Sequence, residues 1–120
     1  MHPYAVPAAR YADAAGELGY YLAVFPQLFA TQKEWAAAGD LDRVVSAVVP
    51  PEKMVEVRKR VAGDAAIDSS LAADMEMVRR DHVTQTPTLV FVTRGGVRTP
   101  VGGYQPYALL SRYLDEMLKR

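Results

Sequence analysis

Thr86 and Pro87 are the most informative residues of this chain. They open the stretch Gln85-Thr86-Pro87-Thr88-Leu89-Val90-Phe91-Val92, in which a proline precedes a continuous apolar run. Proline lacks a backbone donor, so it belongs at the first residue of a strand rather than inside one. X–Pro bonds are also the only ones that adopt the cis form cheaply. The stretch therefore reads as a tight turn leading into a buried strand. The other chemistry-bearing residues are sparse. The chain has no cysteine, which excludes thiol nucleophiles, disulfides and cysteine-ligated metals. Its two histidines, His2 and His82, are far apart in sequence and lack metal-ligand spacing. His82 falls near a helix end, where a cation suits the dipole, and reads as a capping or surface residue. His2 lies at a terminus expected to be mobile. Asp64, Asp68, Asp74 and Glu76 read as caps and solvated faces. No serine sits in a Gly-x-Ser-x-Gly elbow, and Gly95-Gly96 and Gly102-Gly103 are turn glycines rather than a phosphate loop. No metal and no cofactor is expected.

A chain of 120 residues fits one domain and can bury a core without disulfides or metals. Acidic and basic residues balance at 14 each, which argues against nucleic-acid binding. Arg58-Lys59-Arg60 with Arg79-Arg80 reads as a solvated helix face. No apolar run approaches the ~20 residues that span a bilayer, and the first residues do not read as a signal peptide. The expected location is cytoplasmic for the chain as it stands, and periplasmic or exported if it is part of a longer protein.

The elements that must position Thr86 and Pro87 are mostly helices. Alanine-rich residues 3–16 read as helix, with Gly16 or Gly19 as the stop. A second helix is predicted over 18–30, with Tyr21, Leu22, Phe25, Leu28 and Phe29 on an apolar face and Pro26 kinking or splitting it. Trp35 falls in a short link and reads as a core anchor. Asp40 caps a helix over 41–49, and Pro51 opens one over 51–62, with Met54, Val55 and Val61 inward and Gly63 as terminator. Asp68 or Ser69 caps a helix over 69–82, whose Leu71, Met75 and Val78 share a face. The period then changes. Thr88–Thr93 and Val97–Val101 read as strands joined at Arg94-Gly95-Gly96, a β-hairpin. A last helix is predicted over 105–119, with Tyr107, Leu110, Leu114 and Met117 as its stripe.

The order of helices, proline turn, hairpin and terminal helix resembles the C-terminal part of a thioredoxin fold. The helical block before it is similar to the helical insertion of the DsbA-like disulfide oxidoreductases of bacteria. That segment typically reads H-P-x-A, an Ala-rich helix, then G-K-F-W-x-M-H-D-x-L-F and a trailing Q. Here His2-Pro3-Tyr4-Ala5, Ala14-Ala15-Gly16, Gly19-Tyr20-Tyr21, Leu28-Phe29 and Gln32 follow the pattern, while Leu22, Phe25 and Pro26 replace its Trp, His and Asp. A second alignment takes His2-Pro3-Tyr4-Ala5 as a decayed Cys-Pro-Tyr-Cys, but no strand separates it from the alanine-rich helix. The resemblance implies an α/β, truncated thioredoxin-like fold with a DsbA-type helical insertion, a C-terminal hairpin and a final helix. It implies one domain over 1–120, with a helical block over 3–82 and the hairpin plus helix over 86–119. The family's Cys-x-x-Cys portion is missing, so a redox-inactive relative is expected rather than an enzyme. In the family, the residue before the cis-proline offers its backbone to an extended peptide. That implies a peptide-binding role for Thr86 and Pro87.

Leu89, Val90, Phe91 and Val92 are apolar on both alternating faces, as in a strand covered on both sides. A lone hairpin is marginal in water and leaves an edge that invites another chain. A symmetric homodimer through these four residues is therefore expected. The alternatives are an extended peptide on the same edge, or cover by the helices.

Overall fold

The computed structural model describes residues 2–119 and forms a mixed α/β chain: among these residues there are seven helices and one two-stranded sheet. It divides into two compact units, one running to Ala72 and the other starting at Ala73.

The first unit is all-helical. α1 (Ala5–Gly16) buries Ala8, Ala12, Ala14 and Ala15; these small side chains let α2, α4 and α5 pack close against it. Gly19 ends the turn after α1 in the left-handed region, φ 86°. There the Tyr20 N–H reaches the Ala15 carbonyl and the Gly19 N–H reaches Gly16, a Schellman motif. α2 (Tyr21–Ala30) runs through Pro26 unbroken. The expected split falls at Thr31 instead, where α3 (Gln32–Ala38) begins. Trp35 therefore lies in a helix rather than a link; it is buried, as expected of an anchor, and its indole N–H donates to the Leu28 carbonyl at 2.7 Å. α4 (Leu41–Ser46) is capped by Asp40, whose carboxylate accepts from the Arg43 N–H at 3.3 Å. α5 (Pro51–Gly63) carries proline at its first turn and buries Met54 and Val57, whereas Val55 faces solvent. α6 (Ala65–Arg80) starts earlier than expected. Asp64 holds the Ala66 N–H at 2.9 Å, and Asp68 is paired with Arg10 instead of capping.

Every buried apolar side chain among the described residues lies between Ala8 and Ile67, all in this first unit. Tyr21, Phe25 and Phe29 are not among them. Along an exposed face of α2, Tyr21 stacks on Phe25 and Phe25 meets Phe29 edge-on, with centroids 5.2 and 5.0 Å apart. The basic residues Arg58, Arg60, Arg79 and Arg80 are each ion-paired, to Asp42, to Glu56 and Asp64, to Glu76 and to Asp81 respectively.

The second unit holds the end of α6, strands β1 (Thr88–Val92) and β2 (Arg98–Gly102), and α7 (Tyr107–Leu118). α7 buries none of its side chains, and its expected core stripe is half-buried at Leu110 and Met117 and exposed at Tyr107 and Leu114. Among the described residues, the one buried side chain of this unit is Asp81.

Candidate functional site

The site is assembled from the end of α6 onward. His82 takes the left-handed conformation, φ 51°, which histidine enters more readily than most residues. Its N–H reaches the Arg79 carbonyl at 3.2 Å and the Val83 N–H reaches Val78 at 2.9 Å, a second Schellman motif that stops the helix and turns the chain. Asp81, just before it, is an anion at a helix C-terminus, where the dipole disfavours negative charge. The guanidinium of Arg98 offsets this: its Nε and Nη2 each donate to the Asp81 carboxylate at 2.7 Å, in a two-point clamp. Arg80 adds weaker contacts at 3.3 and 3.4 Å. The Arg98 hydrogen bonds, then those of Arg80, hold the Asp81 carboxyl far below the usual carboxylate range. With only 5% of that side chain exposed, the pair ties the first residue of β2 to the end of α6.

The clamp sets the hairpin beside the Thr84–Pro87 turn. The Thr86–Pro87 peptide bond is cis, and both residues are exposed. Thr88 Oγ1 donates to the Gln85 carbonyl at 2.6 Å, and the Gly103 N–H donates to the Pro87 carbonyl at 2.7 Å. The Gln85 amide lies over Gly102, where a Cβ would collide with it.

The hairpin turn is also well determined. The Gly96 N–H reaches the Thr93 carbonyl at 2.9 Å, and the Thr93 N–H reaches Val97 at 3.0 Å, with Gly96 at φ 81°. This is a type I turn followed by a left-handed glycine. The register places Leu89 opposite Val101, Val90 opposite Pro100 and Phe91 opposite Thr99. Ladder bonds alternate in an antiparallel pair. Those seen at Thr93–Val97 and Pro87–Gly103 assign the inward-bonded positions to Leu89 and Phe91. The N–H and C=O groups of Thr88, Val90 and Val92 consequently point away from β2.

The two outer edges are not equivalent. On β1 the outward row is Thr88, Val90 and Val92, and β2 is its one strand neighbour among the described residues. On β2 the outward row is Arg98, Pro100 and Gly102, and Pro100 has no N–H to offer. The open edge is that of β1, and it continues toward exposed Thr86.

Thr86 and Pro87 thus stand just before the outward row of β1. Of the four residues expected to meet a partner, Val90 and Val92 direct backbone groups outward. Leu89 and Phe91 spend theirs on β2, and Phe91 packs edge-on against Tyr113 with centroids 4.7 Å apart. His82 is exposed at the end of α6, as a capping residue would be. His2 is placed against Trp35 and Tyr4, with ring centroids 5.9 and 6.0 Å away. Among the described residues no group of three or more His, Asp or Glu side chains comes together as a metal site, and no helix is long and apolar enough to cross a membrane. A cavity of about 310 Å³ in the first unit is lined by Asp13, Glu17, Tyr21 and Ser70 among others. Nothing in the sequence pattern singles out the Asp81–Arg98 pair, whose partners are 17 residues apart. Pro100 within a strand was the available signal for a blocked edge. No family model matches this chain, and neither the curated proteins nor the solved structures give a match.

Proposed function

We propose that this chain is a thioredoxin-like unit of the DsbA type, without redox chemistry of its own, that takes an added strand along the β1 edge and the Thr86–Pro87 loop. The observation that carries the docking role is the outward row at Thr88, Val90 and Val92, which no strand among the described residues pairs, set beside a β2 edge blocked by Pro100. Added strands gain affinity from main-chain hydrogen bonds of this kind. The kinship rests on the order of elements: a helical block, a proline-led strand start, a hairpin and a terminal helix. Disulfide exchange requires a thiolate, and the chain has no cysteine to supply one. A binding module is therefore favoured over an oxidoreductase.

A titration with a labelled, extended, uncharged peptide tests the docking role. Val90→Pro removes an outward donor and leaves the inward ladder bonds at Leu89 and Phe91 intact. Binding to the native chain, weakened at least tenfold by Val90→Pro in a protein of unchanged circular dichroism, is the expected result. Equal affinity for the two proteins would place the contact elsewhere.

A further inference from the structure

The strand edge at β1 is self-complementary. Its outward residues Thr88, Val90 and Val92 are symmetric about Val90. Laid antiparallel on a second β1 with a two-fold axis at Val90, Thr88 meets the second Val92, Val90 meets its own copy, and Val92 meets the second Thr88. Each pair exchanges two hydrogen bonds, about six in all. Within Thr88–Val92 no other antiparallel register satisfies every outward group. The side chains agree with this register. Leu89 would face Phe91 of the second strand, an aromatic–aliphatic pair of the kind that stabilises sheets. The strand carries no charge, so the symmetry opposes no like charges.

We infer that the strand taken up by this edge is β1 of a second copy of this chain, giving a continuous sheet ordered β2-β1-β1-β2 about a two-fold axis at Val90. The inference rests on the strand-docking reading above and names its partner. An isologous pairing closes on itself, and Pro100 on both outer edges of the joined sheet prevents further strand addition. The exposed side chains of Leu89 and Val92 would lie along the joined strands. Neither an acidic nor a basic peptide finds a charged partner on this strand, which favours the chain's own neutral sequence.

The absence of cysteine makes a register test clean. In this arrangement the two Val90 Cα atoms lie ~5.5 Å apart, within the range a disulfide bridges, whereas Thr88 or Val92 is offset from its own copy by four residues, ~14 Å, beyond the ~7 Å limit. The expected result is a dimer by sedimentation at micromolar concentration. Under mild oxidation Val90→Cys should cross-link alone, Thr88→Cys and Val92→Cys should not, and a mixture of the latter two should form the mixed dimer. A folded monomer overturns the inference, as does a dimer that links preferentially through another position. A monomer that still binds the extended peptide in a Val90→Pro-sensitive way leaves the docking role standing with a different partner. A monomer that binds no peptide removes both.

Discussion

Trp35 offers the sharpest test of how the first unit is held together. Its indole N–H donates to the Leu28 carbonyl at 2.7 Å in a buried setting. That carbonyl belongs to the last turn of α2, where helix carbonyls have no partner in their own helix. The side chain thus joins α2 to α3 twice, by burial and by closing an open helix end. Trp35→Phe keeps an aromatic ring but removes the donor and two ring carbons. The stranded carbonyl costs about 1–3 kcal/mol, and the lost carbons ~0.8 kcal/mol each. The sum, about 3–5 kcal/mol, is a large fraction of the ~5–15 kcal/mol that stabilises an ordinary domain. At a urea slope of ~1–1.5 kcal/mol/M, typical of small units, the midpoint should fall by ~2–5 M. The assay is urea unfolding followed by far-UV circular dichroism, with the exposed Lys33→Ala on the same helix as a control that leaves the midpoint unchanged. A loss below 1 kcal/mol in Trp35→Phe with an unchanged slope would refute the claim that the indole N–H closes the end of α2.

Two further perturbations follow from the same geometry. Gly39 stands at φ 75°, and a Cβ there would lie 2.6 Å from Tyr4 Cε1; Gly39→Ala should cost more than the ~1–2 kcal/mol of the left-handed backbone alone, read as a lowered thermal midpoint. Asp81 titrates in the folded chain below its ordinary value, mainly through the Arg98 hydrogen bonds. Its contribution is therefore complete above the unfolded carboxylate value of ~3.9 and is lost as pH falls through the depressed folded value. Amide exchange across β1 and β2, taken relative to the intrinsic rate at each pH, should quicken in the native chain as pH falls below ~3.9. In Asp81→Asn it should be fast already at neutral pH and depend less on acid; an identical acid profile in the two proteins would show that the clamp does not hold the hairpin.

How much of this was legible in the sequence depends on the range of the interaction. The hairpin was legible because its turn is local: glycine at position 96 supplies the left-handed residue that the turn requires. The Asp40 cap and the proline start of α5 were legible for the same reason. α3 was not, because seven residues with a single buried anchor, Trp35, show no helical period. α6 starts four residues before the expected position because Asp64, Asp68 and Ser69 all have capping side chains, and the choice among them depends on Arg10, which takes Asp68 from across the unit. The aromatic stripe of α2 has a core-like composition, but burial selects the adjoining stripe of Val24 and Leu28 instead. For the candidate site, the loop was readable at Thr86-Pro87. Which edge of the hairpin stays open is not legible in the sequence, since that follows from bond alternation fixed by the register.

The two units are held by different means, and the difference bears on function. The first closes an apolar core from Ala8 to Ile67. The second buries one carboxylate and leaves Leu89, Val92, Leu109 and Leu114 exposed. An ion pair such as Asp81–Arg98 fixes orientation better than it supplies net stability, because removing two charges from water offsets much of their attraction. Hydrophobic burial is the dominant favourable term in folding, and a hairpin with a single helix has little of it to draw on. A unit oriented by a clamp, short of burial and edged by a neutral strand gains most when further apolar surface and backbone partners arrive together. A docked strand supplies both at once, and the β1 edge is where the backbone groups to receive it already point outward.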